Sequence, residues 1–115
     1  MKLVIQNGCR HTLTRKEFEP MLALLAPSWS KYINTIAFYS GVDPCLRTQY
    51  FEKEKVLGLF WSKELSDTNE KRLAIQEIIT SLECISKNCD LSKSKNMMSD
   101  ESISIYEACL RLLKT

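Results

Sequence analysis

The sequence predicts an α+β domain in which about three helices pack against a small, mostly antiparallel sheet. Three observations lead there. Leu73, Ile75, Ile78, Ile79, Leu82 and Ile85 recur at helical spacing in mid-chain. β-Branched and aromatic residues concentrate between positions 33 and 61. Two of those runs flank Glu52-Lys53-Glu54-Lys55, which reads as the charged turn of a hairpin. At 115 residues the chain is long enough for one domain with its own core, and residues 1–115 are read as that domain.

In chain order, Leu3-Val4-Ile5 reads as a first strand closed by a turn at Asn7-Gly8. Thr14-Arg15-Lys16-Glu17 has the form of a capping box, with Leu13 and Phe18 placed for a hydrophobic staple. The helix that follows presents Phe18, Met21, Leu22 and Leu25 on one face. Pro20 predicts a kink or a late start, and Pro27 an end. Ile33 to Tyr39 is a strand, and Asp43-Pro44 marks a loop. Thr48 to Phe51 and Val56 to Trp61 form the hairpin, and Gly58 predicts a bulge or a close backbone approach. Asp67 caps the central helix, which ends at Lys87-Asn88. Asp90 to Ser99 is polar. A last helix then starts at Ser99-Asp100-Glu101, with Ile103, Tyr106, Cys109, Leu110 and Leu113 as its buried side.

Sixteen basic and 14 acidic residues leave a net charge of +2, without a basic stripe, so nucleic acid is not a favoured partner. The longest apolar runs are far short of a membrane span or a signal sequence, so no membrane role is expected. Five cysteines, an odd number, predict free thiols in a reducing, cytoplasmic setting. Three glycines in all leave no phosphate-binding loop, and G-x-S-x-G is absent. Nucleotide binding and serine hydrolysis are therefore disfavoured.

The central helix contains Gln76-Glu77-Ile78-Ile79-Thr80. A zinc peptidase helix reads H-E-x-x-H, because residues four apart share a face and both ligate the metal while the Glu polarises water. Over residues 33–88 the chain resembles a minimal zincin, a metallopeptidase-like domain, with both histidines replaced. The resemblance implies a peptidase-like scaffold without peptidase chemistry. Gln76 and Thr80 are poor zinc ligands, and one histidine in the whole chain cannot rebuild the site. The same three residues also fit the polar side of an ordinary amphipathic helix.

Other chemistry-bearing residues are few. Cys9-Arg10-His11 offers a thiol and an imidazole, and Asp43-Pro44-Cys45 places a second thiol in a loop. A thiol-dependent hydrolase using Cys45 or Cys9 with His11 is one functional expectation. A zinc site would need Cys84 and Cys89 as further ligands at an unsuitable spacing, so neither a metal nor another cofactor is expected. The aromatics point elsewhere. Trp29, Tyr32, Phe38, Tyr39, Tyr50, Phe51, Phe60 and Trp61 fall between positions 29 and 61. Along a strand, Tyr50/Phe51 and Phe60/Trp61 cannot all face the helices. The favoured expectation is a non-catalytic binding protein whose hairpin aromatics Tyr50, Phe51, Phe60 and Trp61 meet a protein partner or a second copy in a homodimer.

Overall fold

Two strands of this chain are apolar along nearly their whole length, and that composition sends them to the middle of the sheet. The computed structural model describes residues 1–6, 9, 13–41, 46–61, 68–88 and 98–113. Its strands are β1 (Lys2–Ile5), β2 (Thr35–Ser40), β3 (Arg47–Phe51) and β4 (Val56–Trp61), in the sheet order β1-β2-β4-β3. The apolar β2 and β4 are central, and the more polar β3 lies at an edge.

This order corrects the expectation of a mostly antiparallel sheet. β1 pairs β2 in parallel and β2 pairs β4 in parallel; only the β3–β4 hairpin is antiparallel. The reason is where the hairpin docks. Its second strand, not its first, lies against β2, so the chain returns to the β2 edge in the β2 direction. The β1–β2 connection is long enough for the crossover that a parallel pair needs. The predicted strand from Ile33 starts two residues later. Ile33 is fully buried, but its N–H still bonds Trp29 O at 3.2 Å, ending the preceding turn.

The crossover is built by capping and proline. Thr14 Oγ1 accepts from the Glu17 N–H at 3.2 Å, and Glu17 Oε1 accepts from the Thr14 N–H at 3.0 Å. This box starts α1 (Arg15–Phe18), and Leu13 and Phe18 are both buried, as a staple requires. Pro20 cannot donate within an α-helix, so the chain tightens into a 3₁₀ helix, Glu19–Leu24. Pro27 opens a second one, Pro27–Lys31, rather than only ending the first.

Two longer helices complete the layer, α2 (Thr68–Ser86) and α3 (Asp100–Leu113). Residues 78–85 of α2 are all buried, more than two turns, so this stretch is enclosed on every side. Asn88 ends the helix in the left-handed region, φ 58°, as the sequence predicts. Strand parity sends Leu3, Ile36, Phe38, Leu57 and Leu59 to the helices, where one cluster joins them to Phe18, Met21, Trp29, Ile75, Ile78, Leu82 and Cys109. Two expected core residues lie outside it. Leu73 is 42% exposed, and Ile103 is 40% exposed because α3 turns Ser102 and Cys109 inward instead. The predicted turn at Asn7-Gly8, the Asp43-Pro44 loop, the Asp67 cap and most of the Asp90–Ser99 segment lie outside the described residues. Among the described residues no helix is long and apolar enough to cross a membrane.

A buried carboxylate ties the two long helices together. Both Glu83 oxygens accept from the Ser99 N–H, each at 3.2 Å, and Oε1 also receives Lys87 Nζ at 3.0 Å. Ser99 in turn caps α3, accepting from the Ser102 N–H at 3.2 Å. Burial alone would raise the Glu83 pKa, but the bonds from Ser99 and Lys87, with the nearby Ser102 hydroxyl, lower it from 4.5 to about 2. A carboxyl group whose pKa falls on folding stabilises the fold above its unfolded pKa. That stability is lost as pH drops from 4.5 to about 2. A shift of this size corresponds to at most about 3 kcal/mol. Urea unfolding across pH is therefore expected to show a loss of up to that amount in this window. Glu83→Gln is expected to be less stable at pH 7 and to flatten the acid limb; an unchanged limb would mean that Glu83 does not set it.

Candidate functional site

Among the described residues the helices cover one face of the sheet, and the other is left to the strands' own side chains. Residues of the opposite parity are Lys2 and Val4 on β1, Thr35, Ala37 and Tyr39 on β2, Val56, Gly58 and Phe60 on β4, and Arg47, Gln49 and Phe51 on β3. Among the described residues no helix packs on this side. Val4 is 45% exposed there.

The centre of this face is aromatic. The Tyr39 and Phe60 rings stack with centroids 4.9 Å apart, and Phe51 meets Phe60 at 6.4 Å, tilted by 59°. All three are half-buried. They converge over Gly58. A Cβ there would meet Phe60 at 3.0 Å, Phe51 at 3.1 Å and Tyr39 at 3.2 Å. β4 stays in register with β2 from Val56 to Trp61, so Gly58 marks a close approach and not a bulge. Ala37, beside it in the sheet, is buried by the same small-residue logic.

The four hairpin aromatics thus divide. Phe51 and Phe60 belong to the open face. Tyr50 and Trp61 share the parity of Leu57 and Leu59, toward the helices. Tyr50 packs against the core, and its hydroxyl donates to Tyr32 O at 2.6 Å. Burial, with the nearby Glu52 charge, raises its pKa. Trp61 is 4% exposed. Tyr39 joins the open face as a site residue that the hairpin's own sequence does not announce. Its alternation with Ala37 along β2 is the signal that could have found it.

The residues expected to carry chemistry are more dispersed. Thr80 is buried, and its hydroxyl donates back to Gln76 O at 2.9 Å and Glu77 O at 3.2 Å, the usual resort of a helical threonine away from water. It is therefore no part of a solvated helix face, while Gln76 and Glu77 are half-buried. Cys9 follows the carboxyl end of β1, half-buried against the core, with its N–H bonded to Gln6 O at 2.9 Å. His11, Cys45 and Cys89 lie outside the described residues. Cys84 and Cys109 are buried free thiols, and burial pushes the Cys109 thiol up to about 11. Among the described residues no three His, Cys, Asp or Glu side chains come together to hold a metal ion.

Comparison with protein-family models, with curated proteins and with solved structures finds no match to this chain.

Two outcomes test this geometry. Ala normally gains about 0.5–1 kcal/mol over Gly in a strand, whereas forcing a methyl into packed atoms costs about 1–3 kcal/mol. With three rings within 3.2 Å, packing wins. Gly58→Ala is expected to lose about 1–2 kcal/mol in urea unfolding and to shift the ring resonances of Tyr39, Phe51 and Phe60. Alkylation of the native protein near neutral pH should spare Cys109 and Cys84 relative to Cys9. Rapid labelling of Cys109 in the folded state would contradict its burial.

Proposed function

We propose that this chain is a non-catalytic interaction domain that docks a protein partner on the open face of its sheet. The carrying observation is the group of Tyr39, Phe51 and Phe60 rings on a face that no described helix covers. Aromatic groups that stay partly wet on one side of a sheet are a common mark of contact surfaces, since they supply much area with little rotamer entropy to lose. Gly58 and Ala37 support this use. Their small size lets the rings settle against the backbone, which holds the surface in shape before anything binds.

The scaffold belongs to the same proposal. A zincin-like domain that has lost its metal ligands would keep Glu77 on its central helix and use another surface. The engagement of the Thr80 hydroxyl with its own helix is consistent with that loss.

An anilinonaphthalene sulfonate dye tests the surface without a known partner. The folded protein is expected to bind the dye, with shifts confined to resonances around Tyr39, Gly58 and Phe60. Phe51→Ser with Phe60→Ser should weaken the dye by at least about tenfold, or about 1.4 kcal/mol, at unchanged far-ultraviolet circular dichroism. Absence of binding by the native fold, or binding indifferent to both substitutions, would sink the proposal.

A further inference from the structure

We infer that α3 is a displaceable strap, fastened at its N-terminus by Glu83 and able to leave as one unit while the sheet and α2 stay folded. The inference does not depend on the open face, since α3 packs on the helical side of the sheet.

Packing is the first ground. α3 lies against α2 and the 3₁₀ helix Glu19–Leu24. Of residues 100–113 only Ser102 and Cys109 are buried, and both are small. Ile105, Tyr106, Leu110 and Leu113 meet the core half-buried, while Ile103 and Leu112 are 40% and 38% exposed. The large side chains that are fully buried, among them Phe18, Phe38, Leu57, Ile78 and Leu82, all belong to other elements. Apolar burial therefore holds α3 less firmly than α2, whose residues 78–85 are buried without a break. Elements with few buried apolar contacts open at a lower free energy than the whole fold.

The polar groups are the second ground. The Ser102 hydroxyl is enclosed on the inner side of α3, yet it has no hydrogen-bond partner among the described residues. A buried unpaired hydroxyl opposes docking and regains water on release. Glu83 offsets this cost. Both of its oxygens accept from the Ser99 N–H, and the carboxylate stands at the positive end of the α3 dipole. Release strands no charge, because Glu83 then meets water with Lys87 Nζ, now 3.0 Å away, as its neighbour on the same helix. α2 does not need α3 for its own ending either. Asn88 turns left-handed, φ 58°, and its N–H bonds Ile85 O at 3.1 Å. The docked and the released form are thus both satisfied on the α2 side.

Native-state hydrogen exchange of the full chain, read by nuclear magnetic resonance at low guanidinium concentrations, tests the strap. Amides of residues 104–111 are expected to share one protection value, at least about tenfold below those of Ile36–Tyr39 in β2 and Ile78–Leu82 in α2. Their dependence on denaturant should be shallower, because less surface opens. Glu83→Gln should lower the α3 value by about tenfold or more. Gly58→Ala weakens the sheet in the docked and the released form alike, so it should lower protection in β2 and leave α3 unchanged. Equal protection of α3 and β2 in the unaltered protein, or a fall of both together in Gly58→Ala, means that α3 leaves only with global unfolding and overturns the inference. Protection that fades steadily toward Leu113, without a shared value, is end fraying and overturns it too. An α3 value indifferent to Glu83→Gln overturns Glu83 as the fastening. Should either variant fail to fold, the comparison of α3 with β2 in the unaltered protein still decides.

Discussion

Everything in this molecule depends on a sheet that helices seal on one side, while among the described residues no helix covers the other. The core is a single layer of contacts between the inner residues of four strands and the helices above them. Side chains alternate strictly along a strand, so a slip of one residue in β2 or β4 would send Ile36, Phe38, Leu57 and Leu59 into the open and turn Ala37 and Gly58 inward. The two faces are thus specified together. Large aliphatic residues on one parity make the core, and small residues on the other parity leave room for Tyr39, Phe51 and Phe60 to lie close to the backbone.

The helical layer is fixed by polar groups as well as by packing. Eight consecutive buried residues in α2 include Thr80, Ser81 and Glu83, and each of these is hydrogen-bonded. Ser81 Oγ reaches Thr48 Oγ1 at 3.4 Å, joining α2 to the edge strand β3. At the other end of the helix, Lys71 Nζ meets Glu17 Oε2 at 2.8 Å. Burial opposes the Glu17 charge, but the Lys71 and Thr14 bonds outweigh it and lower its pKa. The pair is partly solvated and contributes little beyond alignment. Glu83 matters more, because a buried carboxylate left without its donors would carry its full desolvation cost. Its bonds run to the N-terminus of α3, so the position of the last helix is coupled to a single side chain on α2.

Element positions were legible in the sequence wherever local chemistry decides them. Thr14, Asn88 and Ser99 are caps, and each stands where its residue type predicts. Strand direction was not legible from the same signals, because a hairpin looks alike whichever of its strands docks. The distinguishing clue was composition. Val56-Leu57-Gly58-Leu59-Phe60-Trp61 is apolar on both parities, as a central strand in a parallel sheet is, while Arg47-Thr48-Gln49-Tyr50-Phe51 is not. Ile103 and Leu73 were misplaced for another reason. Their helices have apolar residues over a wide arc, and periodicity alone cannot choose which flank the neighbours cover. Of the site, the division of Tyr50 from Phe51 and of Phe60 from Trp61 followed from alternation. Tyr39 required knowing that β2 and β4 are neighbours.

The same small residues that let the rings lie against the backbone also limit what the aromatic face can hold. Rings folded down over Gly58 have already left part of their surface out of water, so a partner gains less from covering them than from covering rings that stand free. At about 25 cal/mol per Å², even an apolar contact of about 400 Å² yields only about 10 kcal/mol before costs. Association and side-chain ordering take back about 4–15 kcal/mol. The two are of one size, so apolar burial alone leaves a contact of that area close to balance.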